Sequence, residues 1–275
     1  MTQRILITGA NGFIGRHLVS TLAEHDIDLV LMVRTGSESE VSALNQASNV
    51  VSSPDIFSEQ PQWWAEKLAD VDVVIHAAWH TNPVDYMTSS QNHHCEIGTL
   101  RMAEGLRMTG VRRFVGIGTC LEYEQTGQRL TTQTRLMPES PYAIAKARTY
   151  VQLEKLLMNS HVQLAWCRLF YLYGPGEHES RLVPYLHREL SQGRRVMLKN
   201  PHQLLDFLDV RDVARKIVQV ALSQDVGSFN VCSGVGRTVG EVSREIAAEY
   251  GQAALIDFAE DHHKTGPPIV GEPSV

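Results

Sequence analysis

A tyrosine and a lysine four residues apart, Tyr142 and Lys146, are the side chains of this sequence best suited to moving a proton. On a helix that spacing puts both on one face. A free phenol, with a pKa of about 10, is a poor base at neutral pH. An ammonium beside it favours the phenolate and lowers that pKa. The phenol can then give a proton to a carbonyl oxygen being reduced, or take one from an alcohol being oxidised. Thr119 stands 23 residues upstream, after an apolar run over 114–117 that reads as a strand. Open α/β sheets hold their ligands at the carboxyl ends of strands.

A second set of residues is suited to holding a phosphate. Gly9, Gly12 and Gly15 follow the buried-strand run Ile5-Leu6-Ile7 and open a helix carrying Ile14, Leu18 and Leu22. The first glycine permits a tight turn, the second lets the backbone approach a pyrophosphate, and the third allows close packing of helix on strand. A helix N-terminus offers free N–H groups and a favourable dipole to the anion. Glycines in this strand–turn–helix context predict a dinucleotide site. The next strand ends in Leu31-Met32-Val33-Arg34-Thr35, without the carboxylate that would bind a ribose 2′-hydroxyl. The planar fork of Arg34 suits a 2′-phosphate instead. NADP(H) is therefore the preferred cofactor, with NAD(H) as the other option.

These residues need a scaffold. Further strands are expected over 29–33, 50–51, 71–75, 114–117 and 162–168. Helices are expected over 89–109, closed by Gly110, and over 142–158, opened by Ser140 and Pro141. After Gly174 the pattern loosens, with helices over 183–191, 210–222 and 239–250 and a strand over 195–198. Strands alternating with helices imply crossover connections. The predicted class is α/β: a Rossmann-type doubly wound parallel sheet over 1–168, with a smaller C-terminal lobe over 169–275. Some of that lobe returns to the main sheet.

Composition sets the outer bounds. The 275 residues are 43% hydrophobic with a net charge of −6. No basic run exists, which argues against a nucleic-acid partner. Cys95, Cys120, Cys167 and Cys232 are scattered and form no CxxC pair, as expected of reduced thiols in the cytoplasm. No apolar stretch reaches the roughly 18 residues of a membrane span, and residues 1–8 read as a strand rather than a signal peptide. His76 reads as a packed core histidine. The His262-His263 pair lacks further ligands at metal-site spacing and reads as a mobile surface turn, so no metal is expected.

Taken together, the motifs resemble those of extended short-chain dehydrogenases/reductases, the NAD-dependent epimerase/dehydratase family. Thr8-Gly9-Ala10-Asn11-Gly12-Phe13-Ile14-Gly15 is similar to that family's TGxxGFIG turn. Gly118-Thr119-Cys120-Leu121-Glu122-Tyr123 resembles its Ser-Ser-x-x-x-Tyr-Gly segment, and Tyr142 with Lys146 its YxxxK pair. The resemblance covers roughly 1–250. It implies that Thr119, Tyr142 and Lys146 are catalytic, with the Thr119 hydroxyl orienting the substrate oxygen and Lys146 also holding the nicotinamide ribose. It implies cofactor contacts from Gly9, Asn11, Gly12, Phe13, Ile14, Gly15 and Arg34. Asp55 and Ile56 would lie beside the adenine. Ala77, Ala78 and Trp79 would lie under the ribose and pyrophosphate. The substrate would meet Trp79, Thr119, Cys120, Tyr171 and Arg181.

The same resemblance narrows the reaction. Sugar-nucleotide dehydratases of the family carry Asp-Glu directly after the catalytic threonine; here Cys120-Leu121 stand there, which argues against dehydration. Epimerase/reductases of the fucose synthase kind carry a cysteine two places after it. Here that place is Leu121, and Cys120 reads as a small buried residue. The Thr119-Cys120-x-Glu122-Tyr123 variant, Trp79 and Arg168 to Pro175 look similar to nucleotide-sugar 4-ketoreductases such as CDP-abequose synthase. The expected activity is NAD(P)H-dependent reduction of a keto group on a nucleotide-linked deoxysugar. The alternatives are a 4-epimerase with tightly bound NAD and a reductase of a non-nucleotide natural-product ketone. Three positions depart from the family pattern: Tyr171 and Cys95 each replace an asparagine, and Leu205 replaces the arginine of Arg-Asp-Phe. Arg181, Arg188, Arg194 and Lys199 are the cations available to grip a diphosphate in its place. The stretch 261–275 lacks the family's Leu-Gly-Trp continuation, so a short substrate lobe is expected. Relatives pair through helices matching the 89 and 142 regions, so a homodimer is expected.

Overall fold

The structure, a computed structural model, describes residues 2–42, 49–259 and 265–275. The His262-His263 pair falls outside them. Through the first part of the chain strands and helices alternate: β1 (Gln3–Thr8), α1 (Phe13–Leu22), β2 (Ile27–Arg34), α2 (Glu38–Ser42), β3 (Asn49–Ser53), α3 (Pro61–Lys67), β4 (Val73–His76), α4 (Gln91–Leu106), β5 (Arg113–Thr119), α5 (Pro141–Leu157) and β6 (Gln163–Leu169). Then come β7 (Tyr171–Tyr173), α6 (Leu182–Ser191), β8 (Val196–Leu198), β9 (Leu204–Asp209), α7 (Val210–Leu222), β10 (Gly227–Val231), β11 (Gly236–Thr238), α8 (Val239–Glu249) and β12 (Ile256–Phe258).

Seven strands form one parallel sheet in the order β10-β6-β5-β4-β1-β2-β3. This is the doubly wound sheet that the alternation predicts. Both faces are covered, so the strands read as apolar runs whose side chains alternate between two cores. Ile5, Ile7 and Leu31 pack with Leu18 of α1 and Val213 and Ile217 of α7. Leu6, Met32, Phe114 and Trp166 pack with Trp64 of α3, Met102 of α4 and Leu153 of α5. Each such side chain stabilises the fold by about 1.5–3 kcal/mol. The strand order reverses between β1 and β4, which opens the crevice where such sheets bind ligands.

Two helix ends show how local chemistry sets the boundaries. α5 begins as expected, with Pro141 in its first turn and the Ser140 hydroxyl accepting from the Ala143 N–H at 3.2 Å. α4 is shorter than the sequence suggests. It runs from Gln91 to Leu106, and Gly110 does not take the left-handed conformation of a glycine cap. The Thr109 hydroxyl ends it instead, donating to Leu106 O at 2.9 Å and accepting from Val111 N at 3.3 Å.

The remaining elements build a small lobe over the crevice. It holds the sheet β11-β9-β7, the pair β12-β8, and helices α6 and α8 packed through Leu186, Leu190, Val242 and Ile246. β10 and α7 return to the main sheet. The segment 265–275 also runs back over the body, with Ile269 bridging Leu205 and Gly271 bridging Leu130. All four cysteines are free and buried. No described helix is long and apolar enough to cross a membrane.

Candidate active site

The turn after β1 has the form a pyrophosphate cradle needs. Gly9 has φ +66°, and a Cβ there would sit 2.9 Å from the backbone of Ala78. At Gly15 a Cβ would lie 2.0 Å from Gly9 O. Only hydrogen fits at either place. α1 starts at Phe13 on Gly12, with no side-chain cap and no acidic residue in its first turn. No side chain of the helix itself caps its leading N–H groups. Asn11 holds the turn from outside, donating to Glu40 at 3.1 Å. Arg16, which the sequence reading passed over, donates to Asn11 O at 2.9 Å and adds a cation to the rim. These features fit a dinucleotide phosphate.

The flanking residues take the places expected of them with differing freedom. Arg34 ends β2 and is exposed. The Asp55 carboxylate is engaged: it accepts from His94 Nε2 at 2.6 Å, Ser58 Oγ at 2.8 Å and Phe57 N at 3.0 Å. Burial opposes its ionisation, but the bonds led by His94 outweigh that and hold its pKa low. Ile56 packs partly on the core. Ala77, Ala78 and Trp79 leave β4 beside the turn. His76 is a core residue, as expected. It bonds Thr8 Oγ1 at 2.8 Å and Thr99 Oγ1 at 3.0 Å, and burial lowers its pKa to about 3.

Thr119 ends β5, and Tyr142 and Lys146 stand on α5, which Lys146 ties to that strand. Lys146, 3% exposed, donates from Nζ to Ile117 O at 2.7 Å. Its Nζ lies 3.7 Å from the centre of the Trp79 ring and 6.0 Å from that of Tyr142. Burial brings its pKa down to about 7. The expectation that Lys146 lowers the Tyr142 pKa is not met. Burial, followed by Tyr86, Glu122 and Cys120, pushes the phenol up, with Arg181 opposing. The ammonium is turned towards a carbonyl and an indole rather than the phenolic oxygen. Thr119 Oγ1 accepts from Leu121 N at 3.3 Å. The hydroxyl also faces the Cys120 thiol.

The cleft wall has a member the sequence did not reveal. Tyr86 packs edge-on against Tyr142, with ring centres 5.1 Å apart. The Arg181 guanidinium lies 5.0 Å above the Tyr86 ring and reaches its hydroxyl at 3.4 Å. Tyr86 sits in a stretch without periodicity, so nothing in the sequence marked it. Tyr171, on β7, packs 6.1 Å from Phe207, and burial raises its pKa. Cys120, read as a substrate contact, is only 2% exposed and packs with Tyr123, Leu130 and Phe170. Its role as a small buried residue is the one this placement favours. Asp206 is also internal, accepting from Ser233, Gly234 and Gly271. Of the four candidate cations, Arg188 and Arg194 are paired with Glu179 and Glu189.

A model of the NAD dependent epimerase/dehydratase family matches residues 5–232. The chain belongs to that family. As a member of it, this protein is an enzyme of the oxidoreductase type. Over 255 residues it is 26% identical to the dTDP-6-deoxy-L-talose 4-dehydrogenase (NAD(+)) of Aggregatibacter actinomycetemcomitans, covering 90% of this chain and 91% of the relative. It is likewise 26% identical to the GDP-6-deoxy-D-mannose reductase of Pseudomonas aeruginosa, covering 93% and 82%. The crystal structure of Thermotoga maritima UDP-glucose 4-epimerase with UDP-glucose has the same fold. Its TM-score is 0.84 at 21% identity, over 99% of this chain and 90% of that one.

Proposed function

We propose that this epimerase/dehydratase-family enzyme reduces the keto group of a nucleotide-linked 4-keto-6-deoxysugar. The observation that supports the reading is the placement of Tyr142 and Lys146 on α5, with Lys146 bonded to Ile117 O near the carboxyl end of β5, the strand that ends in Thr119. A nicotinamide cofactor bound at the cradle after β1 would supply hydride. Thr119 and Tyr142 donate hydrogen bonds to the substrate oxygen, and Tyr142 delivers the proton. Lys146 holds the cofactor's ribose side. Arg181, which forms no ion pair among the described residues, faces the diphosphate. The similarity to a deoxysugar reductase and a deoxysugar dehydrogenase supports this substrate class. Replacing Tyr142 by Phe tests it: turnover should vanish while cofactor still binds, and unchanged turnover would remove Tyr142 from the chemistry.

NADP(H) is the cofactor we favour, because Arg34 is exposed at the end of β2 and forms no ion pair among the described residues. A second reading has its own observation. Glu40 lies against Asn11 on the rim of the turn, where a carboxylate suits a ribose hydroxyl. That would favour a 4-epimerase with tightly bound NAD. Fluorescence titration of purified protein separates the two. An empty site preferring NADPH supports the reductase, and co-purified NAD the epimerase. We further propose a cytoplasmic homodimer. Ile144 and Val151 on α5 expose 37% and 36% of their surface beside an apolar groove lined by Leu136, Pro138 and Ala147.

A further inference from the structure

Beneath Thr119 lies a charged pair that the proposed chemistry leaves unused. Glu122 is 0% exposed. Its Oε1 accepts from the Thr119 backbone N–H at 2.8 Å and from Trp166 Nε1 at 3.1 Å. Its Oε2 accepts from Arg168 Nε at 2.7 Å. Arg168, 1% exposed, donates from Nη1 to the Tyr123 hydroxyl at 3.0 Å. That hydroxyl donates to Asn230 Oδ1 at 2.7 Å, and Asn230 Nδ2 donates to Leu130 O at 2.9 Å. The guanidinium is also flanked by two rings, 4.7 Å from Tyr123 and 4.9 Å from Tyr150. Thus β5, β6 and β10 are tied together directly under the Thr119 peptide.

Two arguments separate this network from ordinary core packing. A buried ion pair gains little over apolar residues of the same volume, because desolvation offsets the attraction. What it supplies that leucines would not is direction. The second argument is Gly118. A Cβ there would stand 2.3 Å from Trp166 Nε1 and 2.5 Å from Glu122 Oε1. The residue before Thr119 has no side chain, and that space is taken by the carboxylate and the indole that holds it. The Thr119 N–H is pinned on one side, while Leu121 N occupies one lone pair of its hydroxyl. The hydroxyl also faces the Cys120 thiol, so both the backbone and the side chain of Thr119 are held by their neighbours.

We infer that Glu122, clamped by Arg168, is a positioning residue that fixes the Thr119 backbone and so holds its hydroxyl in place for the substrate oxygen. The inference rests on the proposed role of Thr119. Glu122 also acts through its charge. The groups facing Tyr142 are Tyr86, Glu122, Cys120, Arg181 and Lys146, and the Glu122 carboxylate disfavours the phenolate.

The experiment uses the full chain and whichever dTDP- or GDP-linked 4-keto-6-deoxyhexose the wild-type protein reduces. Glu122→Gln should lower kcat by about 10- to 100-fold, the effect of misplacing a catalytic group. KM and cofactor affinity should stay unchanged. The basic limb of the kcat/KM profile should move to lower pH, because a negative charge near Tyr142 is gone. Trp166→Phe keeps the charges and removes one donor. It should fold, lower kcat by a smaller factor and leave the limb in place. An unchanged kcat and limb in folded Glu122→Gln would overturn the inference. If that variant does not fold, an unchanged kcat in Trp166→Phe overturns it. Tyr142→Phe is measured alongside. If it too stays active, the proposed chemistry fails; if it alone is dead, only the role of Glu122 does.

Discussion

The ammonium of Lys146 lies 3.7 Å from the centre of the Trp79 indole, and Trp79 is itself held by a 2.8 Å bond from Nε1 to Asn92 Oδ1. The negative face of the ring stabilises the cation, while burial brings its pKa to about 7. A desolvated contact of this kind contributes about 2 kcal/mol, and one pKa unit corresponds to about 1.4 kcal/mol. Replacing Trp79 by Leu should therefore lower the Lys146 midpoint by about one unit. A titration of isotope-labelled lysine by NMR in the cofactor-free protein reads this. An unmoved midpoint would mean that the indole does not hold the charge.

Arg181 rests on Tyr86. A charge-assisted hydrogen bond is worth about 1.5–3 kcal/mol. Arg181→Ala should raise KM for the nucleotide sugar by about 10- to 100-fold and leave the cofactor's KM alone. Arg181→Lys should recover part of the loss, since the charge returns without the planar fork. Equal effects on both KM values would place Arg181 elsewhere.

Gly15→Ala puts a methyl 2.0 Å from Gly9 O, so the turn must open. Overpacking of this kind costs about 1–3 kcal/mol, and the cradle should lose its cofactor. Gly110 has open space around it and φ outside the left-handed region. Gly110→Ala should leave stability and cofactor binding intact, or raise stability by about 0.4–1 kcal/mol. Calorimetry and fluorescence titration of the two variants make the comparison.

His76 should contribute to acid sensitivity. Its folded pKa is about 3 against an ordinary value of 6.5. Between those values the unfolded chain binds the proton and the folded one does not, so stability falls as pH drops. Above pH 6.5 both states are neutral and nothing is lost. Glu177 works the other way. Burial raises its pKa from 4.5 to about 7, so the folded state binds more protons across that window. His76→Asn isolates the first effect. Its urea midpoint should vary less with pH between about 6.5 and 4.5 than that of the wild type; parallel curves would refute the assignment.

Much of the candidate site was legible because its parts are local. Gly9 and Gly15 declare a turn through what only glycine can do there, and Ser140-Pro141 declares the start of α5. The Tyr142–Lys146 spacing shares a helix face by geometry alone. Glu122 had a local signal too. Thr119-x-x-Glu122 is a capping box, and in the structure both of its bonds form. The chain order of strands and helices implied a parallel sheet, because crossovers allow little else.

What the sequence did not determine depends on residues far apart. Gly110 looked like a cap, but the Thr109 hydroxyl ended α4 first. Tyr86 and Arg181 meet only because the β4–α4 connection and the start of α6 close over the same crevice. The direction of the Tyr142 pKa does not follow from its neighbour four residues along the helix. It is decided by burial and by Tyr86, Glu122 and Cys120 from other elements. Spacing along one helix fixes which side chains can share a face. How much water and which charges surround them is set by the packing of the whole fold, and that packing exists only in three dimensions.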